Sequence, residues 1–321
     1  MADTTLLSFY VHRIQFETDS IRSIELRPVD GSPVPPFTPG AHIDVHLPDG
    51  GFRSYSLTNG SAGALGYEMA VNRDANSRGG SAHMVEVLRV GDPILLRPPA
   101  NHFELADAGG PSILFAGGIG ITPILAMIRH LDQAGRRWTL YFAARSRRHA
   151  AFIDLLGAFE TALPGRVHLH FDDENDGRPL DIAALCAKAE DAAHFYCCGP
   201  TPMIAAFKTA LVGRPEEQVH SEHFTGVAPA IAERSFQLLL AKSQQAFVVC
   251  EGQTIMQVLQ ENGVFVPSSC RQGVCGTCET RVVEGIPDHK DGILSPREQA
   301  SNRSMMICCS GSKTDRLVLD L

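Results

Sequence analysis

The stretch Cys270-Arg271-Gln272-Gly273-Val274-Cys275-Gly276-Thr277-Cys278 sets three thiols in a C-x4-C-x2-C run, and a fourth, Cys308, follows after 29 intervening residues. Thiolates are soft ligands suited to iron, and this is a spacing by which four cysteines hold a 2Fe-2S cluster. Gly273 and Gly276 allow the backbone to wrap closely, so that its N–H groups can point at sulfur. Hydrogen bonds of that kind help to set a cluster's potential. A structural zinc site is the competing reading, but it normally splits its C-x2-C pairs between two separated halves. Here three thiols share one tight loop. Cys309 adjoins Cys308 and competes for the fourth position; the interval favours Cys308. The expected ligands are Cys270, Cys275, Cys278 and Cys308.

Around this loop the chain reads as a small β-rich unit, with strands at Phe236 to Leu240 and Phe247 to Val249, a short helix after Thr254, and a closing apolar run from Leu317 to Leu321. Just upstream, Thr225-Gly226-Val227-Ala228-Pro229-Ala230 has the small residues and proline of a linker. Before the linker, apolar runs at Ile113 to Ala116, Trp138 to Ala143, Val167 to Phe171, His194 to Cys197 and Gln218 to Ser221 alternate with segments of helical period. Those segments are Thr122 to Ala134, Ala150 to Leu163, Asp181 to Ala189 and Thr201 to Val212. Strands alternating with helices imply a parallel sheet covered on both faces, an architecture that commonly binds nucleotides but does not fix function. The first hundred or so residues carry short alternating stretches such as Ala41 to Leu47 and Pro93 to Arg97, broken by Pro and Gly. They suggest an antiparallel barrel or sandwich, interrupted by one helical stretch from Ser81 to Leu88.

A chain of 321 residues suits two or three domains of roughly 100 residues each. The expected division is an antiparallel β-barrel at 1–108, an α/β nucleotide-binding domain at 109–225, a linker at 226–232 and a domain built around the cysteine loop at 233–321. An apolar content of 44% argues against extensive disorder. A net charge of -8 gives no electrostatic case for nucleic acid, whose phosphates want a clustered basic surface. No signal-peptide pattern and no long apolar run occurs, so a cytoplasmic protein without membrane contact is expected. Nine cysteines in such a chain read as metal ligands or reduced thiols.

Four further motifs carry chemistry. Arg53-Ser54-Tyr55-Ser56-Leu57 lies where a barrel strand belongs, and alternation sets Arg53 and Tyr55 on one face with Ser54 and Ser56 on the other. An aromatic ring beside a guanidinium suits a flat flavin that carries phosphate. Arg78-Gly79-Gly80-Ser81 follows at the start of the lone barrel helix and offers N–H groups to an anion. Farther on, Gly117-Gly118-Ile119-Gly120-Ile121-Thr122-Pro123 joins a strand to a helix and departs from a strict G-x-G-x-x-G. Its glycines let backbone approach a pyrophosphate. Cys198-Gly199-Pro200-Thr201-Pro202-Met203 likewise ends a strand and opens a helix.

The order of these motifs resembles that of the phthalate dioxygenase reductase family, within the ferredoxin-NADP reductase superfamily, and the likeness covers essentially the whole chain. The resemblance implies FMN, a plant-type 2Fe-2S cluster and NADH. It sets Tyr55 against the flavin ring and Arg53, Ser54, Ser56, Arg78, Gly79, Gly80 and Ser81 among the flavin contacts. It assigns Gly117, Gly118, Gly120, Thr122, Arg145, Ser146, Cys198, Gly199 and Pro200 to the pyridine nucleotide. Ser56, Thr122, Cys198 and Phe224 would then line the hydride-transfer site. The implied partner is a terminal Rieske non-haem iron oxygenase. Two rivals stand beside it, a self-contained NAD(P)H-dependent flavin or quinone reductase and an iron-sulfur redox sensor; the intact nucleotide motifs argue against the sensor. Arg145, Arg147 and Arg148 alone would suggest NADPH, since they can pair with a 2′-phosphate and no acidic residue closes that strand. The family likeness favours NADH. His42, Asp44 and His46 share one strand face, as do His168 and His170; both sets read as solvated surface rather than metal sites.

Overall fold

The computed structural model describes residues 6–60, 63–74, 79–224, 232 and 234–321. Arg78 and positions 226–231 of the expected linker lie outside the described residues. The chain divides into two compact units, Met1–Phe224 and Thr225–Leu321.

The first unit opens with six strands, β1 (Leu7–Phe16), β2 (Ile21–Pro28), β3 (His42–His46), β4 (Phe52–Ser56), β5 (Tyr67–Asn72) and β6 (Pro93–Leu96). Their order is β4-β3-β6-β1-β2-β5, antiparallel throughout. A bridge between Leu57 and Met69, with Thr58 N–H donating to Glu68 C=O at 2.8 Å, links the two outer strands and closes the barrel. Closure removes the edges that an open sheet would expose. Inward residues Phe9, Val11, Ile24, Leu26, Ile43, Val45, Tyr67 and Met69 fill the interior. Each fully buried large apolar side chain contributes roughly 1.5–3 kcal/mol. The Tyr67 hydroxyl satisfies itself on the Pro35 carbonyl at 3.1 Å. The lone helical stretch, α1 (Gly80–Ala82), continues as a wider turn through His83–Val87.

One expectation is corrected here. His42 and Asp44 are not solvated; each is 5% exposed. Their strand β3 lies between β4 and β6, and side chains from those neighbours cover its outer face. Ser54 Oγ donates to Asp44 at 2.7 Å, Arg97 pairs with Asp44 at 3.3 Å, and the Arg97 guanidinium lies 3.7 Å over the Phe52 ring. Burial pushes His42 down to about 4, against the opposing pull of Asp44. His168 does stay exposed, stacked on Tyr141.

The second sheet of this unit comprises β7 (Ser112–Gly117), β8 (Trp138–Ala144), β9 (Val167–Phe171), β10 (His194–Gly199) and β11 (Val219–His223), all parallel in the order β11-β10-β7-β8-β9. Helices α2 (Ile121–Gln133), α3 (Ile153–Ala162), α4 (Ile182–Cys186) and α5 (Thr201–Ala210) make the crossovers. Two apolar layers result, one holding Leu114, Ile124, Ile128, Leu140 and Phe142, the other Phe115, Ile182, Phe195, Ile204 and Phe207. α2 is buried almost all round in its first two turns. From its far end Arg129 reaches the barrel, donating to Thr58 C=O at 3.0 Å and pairing with Glu68 at 3.1 Å. Beside it Ile21 and Ala70 pack on Ala151, Ile119 and Phe152. Phe152 has the left-handed φ of 62°, and its N–H donates to the barrel carboxylate Glu17 at 3.1 Å. The barrel and the parallel sheet are therefore fastened by polar ties as well as apolar contact.

The second unit contains β12 (Phe236–Leu240), β13 (Ala246–Val249), α6 (Ile255–Glu261), β14 (Glu279–Glu284), β15 (Pro287–Asp288), α7 (Pro296–Ser301), β16 (Ser304–Met306), β17 (Gly311–Ser312) and β18 (Arg316–Leu319). Its main sheet has the order β13-β12-β18-β14-β16, with α6 packed on one face through Ile255, Val258 and Leu259. A capping box, Thr254 with Gln257, starts α6. This is the β-grasp arrangement, its last strand in the middle. Among the described residues no helix is long and apolar enough to cross a membrane.

Candidate functional site

In a parallel sheet the loops after the strands gather on one edge, and there β7 and β10, which are neighbours, both end in glycine turns. The turns pack main chain on main chain. A Cβ on Gly120 would lie 2.1 Å from the Cys198 carbonyl oxygen, and one on Gly117 would lie 2.6 Å from Pro200. One on Gly199 would lie 2.7 Å from the Met203 sulfur. Gly118 differs, with φ 55° and open space where a Cβ would stand. Gly117, Gly120 and Gly199 thus serve the closeness of the two turns, and Gly118 is the glycine turned toward free space. The Thr122 hydroxyl donates to Ile119 C=O at 2.9 Å and is almost wholly buried.

Cys198 ends β10, fully buried, opposite Glu222 on β11, with Sγ 3.9 Å from the Glu222 carboxylate. Loss of solvation pushes Glu222 up to about 8, opposed by the Cys198 hydrogen bond, and pushes the Cys198 thiol well above its usual range. Sequence reasoning passed over Glu222. No signal in the sequence marked it, since β11 is a mostly polar edge strand in which Glu222 alone is buried. Phe224, two residues on, is half-exposed at 37%.

Arg145 and Ser146 follow β8 at the same edge; Arg145 is exposed and the Ser146 hydroxyl meets His149 Nδ1 at 2.7 Å. The arginine run is not free as its sequence suggests. Arg147 is held two-fold by Glu174 at 2.7 and 3.3 Å, with its guanidinium 4.7 Å from the Phe171 ring. The strand has no acid of its own, but the adjacent β9 ends in Asp172-Asp173-Glu174, and Asp173 N–H donates to Arg145 C=O. This acidic turn supplies the charge that the sequence of β8 lacks.

On the barrel, β4 lies against β3 with Tyr55 opposite Ile43 and Arg53 opposite Val45. Burial pushes the Tyr55 hydroxyl above its ordinary range, while Arg53 pulls the other way. Arg53 pairs with Asp49 at 3.3 Å. A Cβ on Gly80 would lie 2.9 Å from Arg53 Nε, so the turn that starts α1 is seated on the arginine. Gly79 has φ 99°, and Ser81 Oγ accepts the Asp74 N–H at 3.1 Å. The structure thus gathers Arg53, Gly79, Gly80 and Ser81, with Ser54 turned to Asp44 and Ser56 buried at the strand end. The seated turn, the guanidinium and the sheltered ring together fit a flavin phosphate and ring.

The cysteine loop winds through Arg271, Gly273 and Gly276, all at positive φ between 57° and 73°. Such a winding aims successive N–H groups inward. Cys270 N–H donates to Cys275 sulfur at 3.4 Å, and Gln272 N–H to Cys270 sulfur at 3.3 Å. The thiols neighbour one another in two groups, Cys270 with Cys275, and Cys278 with Cys308 and Cys309. Within each group one thiol is held low by its neighbours, Cys275 at about 6 by Cys270 and Cys308 at about 4 by Cys278 and then Cys309. Among the described residues no three ligating side chains converge on a single-ion site. Three thiols in one tight loop with a fourth brought alongside suit a 2Fe-2S cluster. Cys309 is fully buried, its thiol 3.7 Å from Met306 C=O, 3.9 Å from Ser310 Oγ and beside Cys308.

Comparison with known proteins agrees. Residues 239–312 match the 2Fe-2S iron-sulfur cluster binding domain, and residues 114–209 match the oxidoreductase NAD-binding domain. The fold and these sites define a pyridine-nucleotide-dependent flavin and iron-sulfur oxidoreductase. The chain is 47% identical over 316 residues to phenoxybenzoate dioxygenase subunit beta of Ectopseudomonas oleovorans, covering 98% of this chain and 97% of that one. It is 48% identical to tetrachlorobenzoquinone reductase of Sphingobium chlorophenolicum, covering 94% of each. Phthalate dioxygenase reductase, a modular structure for electron transfer from pyridine nucleotides to [2Fe-2S], superposes with TM-score 0.73 at 34% identity over 98% of both chains. The chain belongs to the phthalate dioxygenase reductase family, with an NAD-binding domain and a 2Fe-2S cluster binding domain in one chain. It also matches an intact type IV self-sufficient cytochrome P450 monooxygenase at TM-score 0.89 and 34% identity, spanning 98% of its own length but only 41% of that longer chain.

Proposed function

We propose that this chain is the reductase component of an oxygenase system, carrying electrons from NADH to a terminal Rieske non-haem iron oxygenase in the cytoplasm. The observation that carries this reading is one chain holding a flavin-type barrel, a nucleotide-type sheet and a four-thiol loop, with near-full-length likeness to a dioxygenase subunit. Bound flavin supplies the conversion of a hydride's electron pair into single electrons, which a 2Fe-2S cluster takes one at a time.

In this reading Gly118 offers backbone to the pyrophosphate, with Gly117, Gly120, Gly199 and Pro200 setting the two turns and Arg145 and Ser146 facing the adenosine end. Thr122 fastens its own turn. Cys198 and Glu222 form a buried floor beneath the nicotinamide, where a neutral carboxyl leaves no uncompensated charge. Arg53, Arg78, Gly79, Gly80 and Ser81 hold the flavin phosphate, and Tyr55, Ser54 and Ser56 orient the ring. Phe224 shelters the reacting faces from water. Cys270, Cys275, Cys278 and Cys308 hold the cluster.

A second reading is favoured by one relative, the tetrachlorobenzoquinone reductase, in which a quinone would be the acceptor. The deciding experiment couples NADH oxidation to product formation by a co-purifying Rieske oxygenase and compares it with turnover of a halogenated benzoquinone. Faster quinone turnover at equal acceptor concentration, without oxygenase coupling, would give the second reading the chain.

A further inference from the structure

Arg53, assigned to the flavin phosphate, lies on β4 between Phe52 and Ser54, and both neighbours are tied from the outer face of the barrel. In the ladder Asp44 of β3 stands opposite Ser54, whose Oγ donates to Asp44 Oδ1 at 2.7 Å. The other carboxylate oxygen, Oδ2, accepts from Arg97 Nη1 at 3.3 Å, and the Arg97 N–H donates to the Asp44 carbonyl at 2.9 Å. The same guanidinium lies 3.7 Å from the centroid of the Phe52 ring. Asp44 thus gives one carboxylate oxygen to β4 and the other to the residue that follows β6. Its side chain is 6% exposed and that of Arg97 12%, so each charge is offset by its partners more than by water. β4 has few other restraints across this stretch. Its ladder runs to β3, and the bridge that closes the barrel, Leu57 to Met69, falls one residue past its end. Arg53 follows the strand closely, because its Nη1 donates to the Phe52 carbonyl at 2.8 Å and its Nη2 pairs with Asp49 at 3.3 Å. A slide or twist of residues 52–54 therefore carries the guanidinium with it.

We propose that Asp44 is a positioning residue for the flavin phosphate: by holding Ser54 directly, and Phe52 through Arg97, it fixes the two residues on either side of Arg53 and so presents the guanidinium to the phosphate in one setting. Arg–phosphate recognition depends on the fit of a planar fork, so a small displacement of the strand is felt there more than at the ring. The inference rests on the reading of Arg53 as a phosphate residue. A purely structural role for Asp44 makes a different prediction, a less stable barrel that still holds both phosphorylated and unphosphorylated flavin as before.

The test titrates the full-length protein, stripped of flavin, with FMN and with riboflavin, which has the same ring and no phosphate, and records a melting curve for each variant. Asp44→Ala removes both ties and should raise the dissociation constant for FMN roughly tenfold while leaving that for riboflavin within about twofold of wild type. Asp44→Asn keeps a weaker, neutral acceptor for Ser54 and should raise the FMN constant about threefold. An unchanged FMN constant in Asp44→Ala, with or without a lower melting temperature, overturns the proposal, and so does an equal loss for the two flavins. Should Asp44→Ala not fold, Asp44→Asn decides, with a rise confined to FMN expected and an unchanged constant refuting. A wild-type protein that binds FMN no more tightly than riboflavin would instead bring down the reading of Arg53 as a phosphate residue.

Discussion

Replacing Glu222 by glutamine should make the protein more stable at pH 8 and leave it nearly unchanged at pH 5. Glu222 is wholly buried beside Cys198, and desolvation raises it from its ordinary 4.5 to about 8. The native state therefore holds this proton longer than the unfolded chain does. The stability tied to the neutral carboxyl is fully present below pH 4.5 and is lost as pH rises through about 8. At about 1.36 kcal/mol for each pH unit, that interval amounts to roughly 5 kcal/mol. Glutamine keeps an acceptor for the Cys198 thiol and removes the titration. For a unit of this size the melting temperature of Glu222→Gln at pH 8 should exceed wild type by on the order of 10 °C. Melting followed by flavin release at pH 5, 6.5 and 8 measures it. The same carboxyl should impose a fall in the rate of flavin reduction by NADH as wild type passes pH 8, absent in the variant. Parallel melting curves for the two proteins across this range would refute the reasoning.

Three further outcomes follow from the geometry. Cys308→Ser should lose the visible absorbance of the 2Fe-2S cluster, whereas Cys309→Ser, whose thiol faces Met306, should keep it; the reverse would move the fourth ligand to Cys309. Glu174→Ala frees Arg147 and removes a negative charge from the acidic turn beside β8, so kcat/KM for NADPH relative to NADH should rise roughly tenfold; an unchanged ratio would show that this turn does not face the ribose. Residues 1–226 alone should bind FMN and reduce a two-electron dye with NADH but fail to drive the oxygenase, because the compact unit ending at Phe224 holds both sheets and none of the cluster cysteines; undiminished oxygenase turnover would take the cluster out of the electron path.

Features carried by neighbouring residues in the chain were legible in the sequence. The C-x4-C-x2-C loop, the alternation of apolar runs with helical segments from β7 to β11, and the two glycine turns depend on local spacing, and the sheet orders agree with them. What could not be read depends on which strands become neighbours. Glu222 meets Cys198 only because β11 lies beside β10, and Glu174 reaches Arg147 only because β9 lies beside β8. Neither adjacency is written in the spacing. The misreading of His42 and Asp44 has the same origin: alternation told which face they share but not that Arg97 and Phe52, from strands on either side, would close over it.

The glycines make the distinction sharper. Gly117, Gly118 and Gly120 look equivalent in a motif, each a residue that lets backbone approach a ligand. In the folded sheet two of them are spent on bringing the β7 and β10 turns within main-chain contact, and only Gly118 faces open space. A substitution at Gly117 or Gly120 would act first by forcing the turns apart, displacing Cys198 and with it the Glu222 contact. A substitution at Gly118 would act through its positive φ and the open space beside it, leaving that floor in place. The same motif thus combines a packing requirement at Gly117 and Gly120 with the pyrophosphate contact proposed for Gly118, and the division follows from the strand order that brings the turns together.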